Sequence, residues 1–239
     1  TVAIFMFRSI SDNVNRRVAT DLGASASVFE RVLQDRLTQL QDSAGLLSQD
    51  FGFRQAVATT DTPTVESALS NVAERINADL AVVTNNEGVV IASLSGGEDE
   101  KMPEFVAALD RSGAEGRQGG GTIVTLGERM YAVVAAPVLA PVRVGWFITG
   151  IALDGDAALE IRELSSIPLG VGFIQRRTDQ PWTLVASTVD SPDLRDLLNG
   201  DLKTLAKQGV AELNGEEYLL WWVKLPTTGA SFEAGALLY

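Results

Sequence analysis

The sequence contains neither cysteine nor histidine in its 239 residues. These absences exclude disulfides, thiol nucleophiles, metal sites built on thiolate or imidazole ligands, and every catalytic triad with an imidazole base. An enzyme would have to use carboxylates, serine or lysine alone, and no pair of such residues stands in a known catalytic motif. We therefore predict that this region is not an enzyme and that it holds no metal ion and no cofactor.

Basic residues are also scarce, with 19 Lys and Arg against 31 Asp and Glu and a formal net charge of −12. Binding a phosphate backbone needs clustered cations, so we predict no nucleic-acid partner. The acidic excess lies between residues 57 and 165, where sixteen acidic side chains accompany seven basic ones. Two interpretations stay open: both ends face an anionic membrane surface, or the acidic surface is simply solvated.

Long hydrophobic runs are missing, since no stretch reaches the roughly 18 apolar residues of a membrane span. With 46% hydrophobic and 21% charged residues, the composition is that of a globular protein. The short apolar run Val2–Phe7 is either the end of a transmembrane helix or a staple that packs on the domain. A strand at Phe232–Tyr239 runs to the last residue, so we expect the parent chain to continue.

A long helix is predicted near the N-terminus, because no proline occurs from Ser9 to Phe51 and apolar residues recur there at spacings of three and four. About 40 helical residues would extend about 60 Å, more than one small module covers. We therefore expect a spine or a dimer seam, and predict a homodimer through this helix. Two consecutive steps of four, at Phe29, Leu33 and Leu37, favour a helix partly covered by its own domain over a continuous coiled coil.

The next part of the chain has the pattern of one αβ module. A helix is predicted from Thr62-Pro63 to about Asn77, where Thr62 would be the cap and Pro63 the first helical residue. A second, short helix is predicted from Pro103 to Arg111. The predicted strands are Leu80–Thr84, Val89–Leu94, Thr122–Leu126, a long strand after Gly127 that ends at Pro137, and Val142–Leu153.

The remainder of the chain repeats that order of elements. A short helix is predicted from Ser191-Pro192 to Gly200. The predicted strands are Leu169–Gln175, Trp182–Ser187, Val210–Leu213, Glu216–Leu225 and Ala230–Tyr239. We predict an α+β fold in which a long N-terminal helix precedes two tandem PAS-like modules, each with an antiparallel sheet of about five strands. The predicted divisions are a helical stalk (1–60), a membrane-distal module (61–160) and a membrane-proximal module (161–239).

Three stretches carry a resemblance to a known family: Leu33–Phe53 leading into Arg54–Val57, Ala68–Arg75 feeding Asp79–Val83, and Asn85–Ser93. In these the chain resembles the double Cache family of bacterial receptor sensors. The resemblance implies a region between two transmembrane helices, on the periplasmic face of the inner membrane. It also implies a small ligand in the membrane-distal module and an output of diguanylate cyclase or phosphodiesterase, histidine kinase or chemotaxis type.

The resemblance has one departure. The Arg-x-Trp-Tyr stretch of the amino-acid-binding subset is absent from this sequence, so an amino-acid ligand is not implied. An alternative function also stays open, namely an interaction module without a ligand that senses a periplasmic partner protein or membrane stress.

Five residues are our candidates for a ligand pocket in the first module: Arg75, Arg129, Tyr131, Trp146 and Asp154. Arg129 and Tyr131 share one face of a strand by the two-residue period, and Trp146 lies on the next strand. Pockets need a few convergent polar groups on an apolar wall, which this set would supply. Each has a structural alternative: core packing for Trp146, solvated strand ends for Arg129 and Asp154, and a favourable charge at a helix C-terminus for Arg75.

Overall fold

The computed structural model describes residues 2–94, 121–165, 167–189, 191–199, 208–227 and 232–239. The chain separates into two compact units. The central unit comprises Leu33–Leu153 and Pro226–Phe232, and the terminal unit comprises Thr1–Val32, Asp154–Leu225 and Glu233–Tyr239. The predicted divisions at residues 60 and 160 stay a prediction.

The first helix, α1, extends from Val2 to Leu47 and contributes to both units. Its predicted apolar stripe is buried in a single line of residues: Leu22, Ala26, Phe29, Leu33, Leu37, Leu40, Ala44 and Leu47. One polar residue shares that buried side, Gln41, whose Nε2 donates to the carbonyl of Ala135 at 2.9 Å. Spacings of three and four thus place one face of the helix in the core, as the sequence pattern predicts.

The end of the predicted helix is wrong, because a new helix begins at Phe51. The carboxylate of Asp50 accepts a hydrogen bond from the backbone N–H of Phe53 and starts α2, Phe51–Thr59. The side chain of Phe51 is exposed and does not continue the stripe. A capping aspartate therefore interrupts what the apolar spacing alone presents as one helix.

Helix α3, Thr62–Ile76, confirms the helix predicted after the stalk. Its cap is Asp61 and not Thr62, since the Asp61 carboxylate accepts from the N–H of Thr64. Pro63 occupies the first turn, where its missing N–H costs nothing. Asn77, in the left-handed conformation at φ 48°, ends the helix.

The central unit contains an antiparallel five-stranded sheet in the order β2-β1-β5-β4-β3. Its strands are β1 (Leu80–Thr84), β2 (Val90–Ser93), β3 (Thr122–Leu126), β4 (Arg129–Leu139) and β5 (Arg143–Ala152). Pro137 lies inside β4, paired with Trp146, so the prediction that it ends the strand is wrong. The predicted helix Pro103–Arg111 lies outside the described residues.

The terminal unit contains a second sheet of the same topology, β7-β6-β10-β9-β8. Its strands are β6 (Val171–Arg177), β7 (Thr183–Ser187), β8 (Gln208–Leu213), β9 (Glu216–Leu225) and β10 (Phe232–Leu238), and its helices are α4 (Gly155–Leu164) and α5 (Pro192–Asn199). Helix α4 is absent from our sequence prediction. Two sheets of one topology confirm the predicted α+β fold with duplicated PAS-like modules.

The two faces of the central unit's sheet have distinct roles in packing. One face contacts the helices, as shown by the rings of Phe53 in α2 and Phe147 in β5, whose centroids lie 5.3 Å apart. The opposite face carries Tyr131 and Trp146 in a separate buried cluster. Within the described ranges, no helix combines the length and the apolar character needed to cross a bilayer.

Candidate functional site

The candidate site lies on the face of the central sheet opposite the helices, which we call the tryptophan face. Strand register defines it, since Val82 pairs with Ile148 and Thr84 pairs with Trp146 between β1 and β5. Paired residues of antiparallel strands project on the same side. The buried apolar residues of the face are Leu80, Val82, Tyr131, Val133, Ala135, Trp146 and Ile148.

Two buried polar atoms of this face have no hydrogen-bond partner within the part of the chain that the structure describes. They are Nε1 of Trp146 and Oγ1 of Thr84, and both residues are at most 1% exposed. Because the two residues are directly paired across β1 and β5, the unsatisfied atoms belong to one place on the sheet. Buried polar groups are nearly always bonded, so these two neighbouring exceptions distinguish the tryptophan face from the rest of the described core.

Gly145 makes this placement possible. A Cβ atom at that position would lie 2.0 Å from the carbonyl oxygen of Thr84, a distance that no side chain tolerates. Glycine therefore lets β5 approach β1 closely just before Trp146. The pairing of Trp146 with Thr84 depends on this absent side chain.

A cation borders the site. The guanidinium carbon of Arg143 lies 4.8 Å from the ring centroid of Trp146, within cation–π range. Nε of Arg143 donates to Oδ1 of Asn86, and Nδ2 of Asn86 donates to the carbonyl of Arg143, both at 3.0 Å. Asn86 is in turn fixed by a turn in which Oδ1 of Asn85 accepts from the N–H groups of Glu87 and Val89. The positive charge is thus held in place beside the indole.

The structure brings together two of the five predicted site residues. Tyr131 and Trp146 belong to the same buried cluster on the tryptophan face. Arg129 begins β4 and is exposed, and Arg75 is exposed in the last turn of α3. Asp154 is exposed in the terminal unit, where its carboxylate caps α4 by accepting from the N–H groups of Asp156 and Ala157. Their roles in ligand binding stay predictions.

Sequence reasoning missed Thr84, Asn86 and Arg143. The sequence places Thr84 at the end of a predicted strand, next to the turn residues Asn85 and Asn86. That turn fixes the register of β1 against β2 and not against β5, so it does not place Thr84 beside Trp146. Among the described residues, no group of three or more acidic side chains is gathered closely enough to hold a metal ion.

In the terminal unit, three hydroxyls near the ends of β7 and β10 and the start of α5 have hydrogen-bond partners. Ser187 Oγ donates to the carbonyl of Val189 at 2.8 Å and lies 2.7 Å from the hydroxyl of Tyr239. Ser191 Oγ donates to Oδ1 of Asn214 at 3.3 Å. Burial raises the pKa of Tyr239, the Ser187 hydrogen bond opposes that rise, and nearby Tyr218 adds to it.

Comparisons with known proteins agree with the fold. Residues 15–224 match the family described as the double sensory domain of two-component sensor kinases. No curated protein sequence matches the chain significantly.

Among solved structures, the sensor domain of the Vibrio cholerae histidine kinase DctB is similar, with a TM-score of 0.55 and 16% identity over 93% of this chain and 95% of that one. The periplasmic domain of Vibrio cholerae LuxQ is similar with a TM-score of 0.52 and 14% identity, over 89% of this chain and 97% of that one. A methyl-accepting chemotaxis protein X is similar with a TM-score of 0.54 and 14% identity, over 95% of this chain and 98% of that one. With most of its length matched by the family and its two sheets of one topology, the chain belongs to the double Cache family of sensor regions.

Proposed function

We propose that this chain is the extracytoplasmic sensor region of a membrane-anchored signal-transduction receptor, and that its central unit binds a small ligand on the tryptophan face. Occupancy would be relayed to a cytoplasmic output of kinase, chemotaxis, or cyclase and phosphodiesterase type. Membership of a sensory family supports the sensor role. The similarity to a periplasmic domain supports the extracytoplasmic placement.

The observation that carries the ligand proposal is the pair of unpartnered atoms on Trp146 and Thr84. Leaving a buried polar group unsatisfied costs about 1–3 kcal/mol, which a bound partner would recover. An indole N–H only donates, so the partner must carry an acceptor, whereas the Thr84 hydroxyl donates or accepts. The nearby charge of Arg143 favours an anionic acceptor. The ligand class that fits these groups is a small organic anion.

The direct test is a thermal-shift screen of small carboxylates, each paired with its neutral amide. At 100 times its Kd a ligand adds about 2.7 kcal/mol, which raises the Tm of a chain of this size by about 5–10 °C. We expect at least one carboxylate to stabilise the chain more than its amide does. Trp146→Phe, which keeps an aromatic ring but removes the N–H, should abolish most of that shift.

Trp222→Phe in the terminal unit is the matched control, because it makes the same chemical change in a different hydrophobic cluster. It should leave the ligand-induced shift unchanged. A screen in which nothing stabilises the chain, or a ligand to which Trp146→Phe responds as fully as the wild type, would rule out a small ligand at this place.

The three exposed candidates are tested in the same assay. Arg75→Ala, Arg129→Ala and Asp154→Ala remove side chains that lie outside the buried cluster of Trp146. A loss of the ligand shift in any of them would extend the proposed site to that residue, and an unchanged shift would limit it to the tryptophan face.

A partner-sensing function is the second candidate, and a group of exposed apolar residues in the central unit favours it. Leu46, Phe51 and Val142 are 74%, 70% and 72% exposed. Arg54, one turn after Phe51, donates from Nη1 to the carbonyl of Leu139 at 3.2 Å, which holds α2 beside the end of β4. Exposed apolar surface where α2 meets the end of β4 is typical of a protein contact site.

Fractionated periplasmic extract separates these two functions. A protein-free filtrate should raise the Tm of the chain if a small ligand is sensed, and Trp146→Phe should cancel that rise. If a partner is sensed, the retained protein fraction should raise the Tm instead, and the double variant Phe51→Ser and Val142→Ser should cancel that rise.

Helix α1 is also the proposed dimer seam. It leaves Val18, four residues before Leu22 and in line with the buried stripe, exposed at 39%, a position that a second copy could cover. Sedimentation equilibrium of Val18→Asp should show a weaker self-association than the wild type, and equal masses for both at all concentrations would contradict the seam.

A further inference from the structure

A recess of about 200 Å³ lies within the terminal unit, between α1, α4 and the end of β10. Its walls are formed mainly by aliphatic and aromatic side chains: Val28, Phe29 and Val32 of α1, Ile161 and Leu164 of α4, and Leu238 of β10. Val28 and Leu164 form its rim and remain 48% and 51% exposed. The recess is thus apolar and open to solvent.

The size of the recess fits a small molecule. An engineered apolar cavity of about 150 Å³ binds benzene, so about 200 Å³ has room for about eight non-hydrogen atoms by proportion. None of the described residues that line it is charged. An ionic ligand would lose its hydration there without a counter-charge, which excludes the anions expected at the tryptophan face.

Two serine hydroxyls supply the polar part of the wall. Oγ of Ser25 in α1 lies 3.2 Å from Oγ of Ser165, just after α4, and both residues line the recess. One hydrogen bond between them uses one of the two hydroxyl protons. Ser165 Oγ also accepts from the N–H of Ile167 at 3.2 Å, which uses an acceptor site and no proton. The pair therefore retains one O–H donor for an acceptor placed in the recess.

We propose that this recess is a second binding site, for a neutral and mostly apolar molecule of about eight non-hydrogen atoms with one hydrogen-bond acceptor. The site does not depend on the ligand proposed for the central unit, because it is formed only by residues of the terminal unit. Such a ligand would bind α1, α4 and β10 at once, and would cover the exposed rim.

A second copy of the chain fits the recess less well than a small molecule does. A stable protein interface buries about 800 Å² on each partner and has an apolar centre. On α1 the neighbours of Val28 include the exposed charged residues Glu30 and Arg31. The apolar surface is therefore confined to the recess and its rim.

Cyclohexanol is a suitable probe, since it is neutral, has seven non-hydrogen atoms and accepts a hydrogen bond. We expect saturable NMR shifts of the methyl groups of Val28, Val32, Ile161 and Leu164 on titration into the full chain. Cyclohexane should bind two- to tenfold more weakly, because it cannot use the serine donor. The double variant Ser25→Ala and Ser165→Ala should remove this difference between the two probes.

Ala24→Phe fills the recess, whereas Ser27→Phe adds the same ring to an exposed position of α1 that does not line it. The first should abolish the saturable shifts and the second should retain them. Folding of both is checked by their Tm values, and Val28→Trp replaces Ala24→Phe if that variant does not fold.

Three results would overturn the site: no saturable shift in the wild type, shifts that persist in the filled variants, or equal affinity for cyclohexane and cyclohexanol. A fourth would identify a contact between copies instead. In that case the filled variant, but not Ser27→Phe, would convert a dimer to a monomer in sedimentation experiments, with no cyclohexanol shifts.

Discussion

On the tryptophan face of the central unit the Thr84 hydroxyl and the Trp146 N–H are buried without partners, whereas the terminal unit bonds the hydroxyls of Ser187, Ser191 and Tyr239. The two sheets share one topology, so topology does not account for this difference. All four unpartnered buried side-chain atoms found among the described residues belong to the central unit. The terminal unit satisfies these three hydroxyls with its own side chains and backbone, whereas the tryptophan face of the central unit retains unmet hydrogen-bonding capacity.

Truncating one fully buried phenylalanine in each unit is the strongest test of whether the two units are separate. Phe147→Ala and Phe173→Ala should each lower the free energy of unfolding by about 3–5 kcal/mol. If the units unfold independently, each variant should shift only the urea-unfolding transition of its own unit. The fluorescence of Trp146 alone follows the central unit, and the fluorescence of the terminal-unit tryptophans alone follows the terminal unit. Phe51→Ala, at an exposed position, should change stability by less than about 0.5 kcal/mol. One common transition, shifted equally by both variants, would contradict independence.

Two glycines, one in each unit, lie against neighbours that differ in how easily they can move. A Cβ at Gly145 would lie 2.0 Å from the Thr84 carbonyl oxygen, and a Cβ at Gly235 would lie 2.0 Å from Cη2 of Trp222. Backbone cannot move aside as a side chain can, so Gly145→Ala should cost about 3 kcal/mol and Gly235→Ala about 1 kcal/mol. Urea unfolding measures both. Equal losses would show that the packing around Trp222 is as unyielding as the strand pair at Gly145.

Removing one hydroxyl from each unit should change stability in opposite directions. Thr84→Val deletes a buried hydroxyl without a partner at nearly constant volume, so the ligand-free chain should gain about 1 kcal/mol. Ser187→Ala deletes a hydroxyl that bonds Tyr239 and the backbone of Val189, so it should lose about 1 kcal/mol. The stability changes are measured as shifts of the denaturant midpoint at a constant m value. A loss on Thr84→Val would mean that its hydroxyl already has a partner, such as an ordered water.

The smallest expected effect is a pH dependence confined to the terminal unit. Burial raises the pKa of Tyr239 above its ordinary value of 10.0. Below pH 10 the phenol is neutral in both states and its contribution to stability is complete. Above pH 10 the unfolded chain ionises first, so that contribution falls as the pH rises towards the folded-state pKa.

Tyr239→Phe isolates this effect. At pH 8 the variant should be less stable than the wild type by about 1 kcal/mol, because the Ser187 bond is lost. That difference should shrink between pH 10 and pH 11 in urea unfolding. A constant difference across this range would show that the phenol ionises equally in both states.

Much of the fold could be predicted from the sequence, because period and turn chemistry act locally. The strands Leu80–Thr84, Thr122–Leu126 and Glu216–Leu225 were predicted with the bounds that the structure has. Helix α4 is not evident from the sequence because Asp154 also fits a strand end, although an aspartate followed by Gly155 and Asp156 can start a helix. The break before Phe51 was missed for a related reason, since its spacing continues the stripe of α1 and only Asp50 signals the new start.

The candidate site was only half predictable. Alternation along each strand predicts which residues share a face with Tyr131 and which with Trp146, and the structure places both on one buried face. Thr84 joins them only through the register of β1 against β5, and that register depends on the close approach at Gly145. The position of Arg143 depends on Asn86, 57 residues away in sequence. Such long-range pairings are not encoded in local spacing.

The amide of Gln41 constrains how α1 can move. It is a polar group within an otherwise apolar buried stripe, and its bond to the Ala135 carbonyl fixes one point of the helix on the sheet. Sliding α1 lengthwise would break that bond and leave the amide without its partner in an apolar setting. Tilting or twisting about this residue keeps the bond. Displacements of α1 should therefore be hinge-like around Gln41, with a piston stroke as the costlier motion.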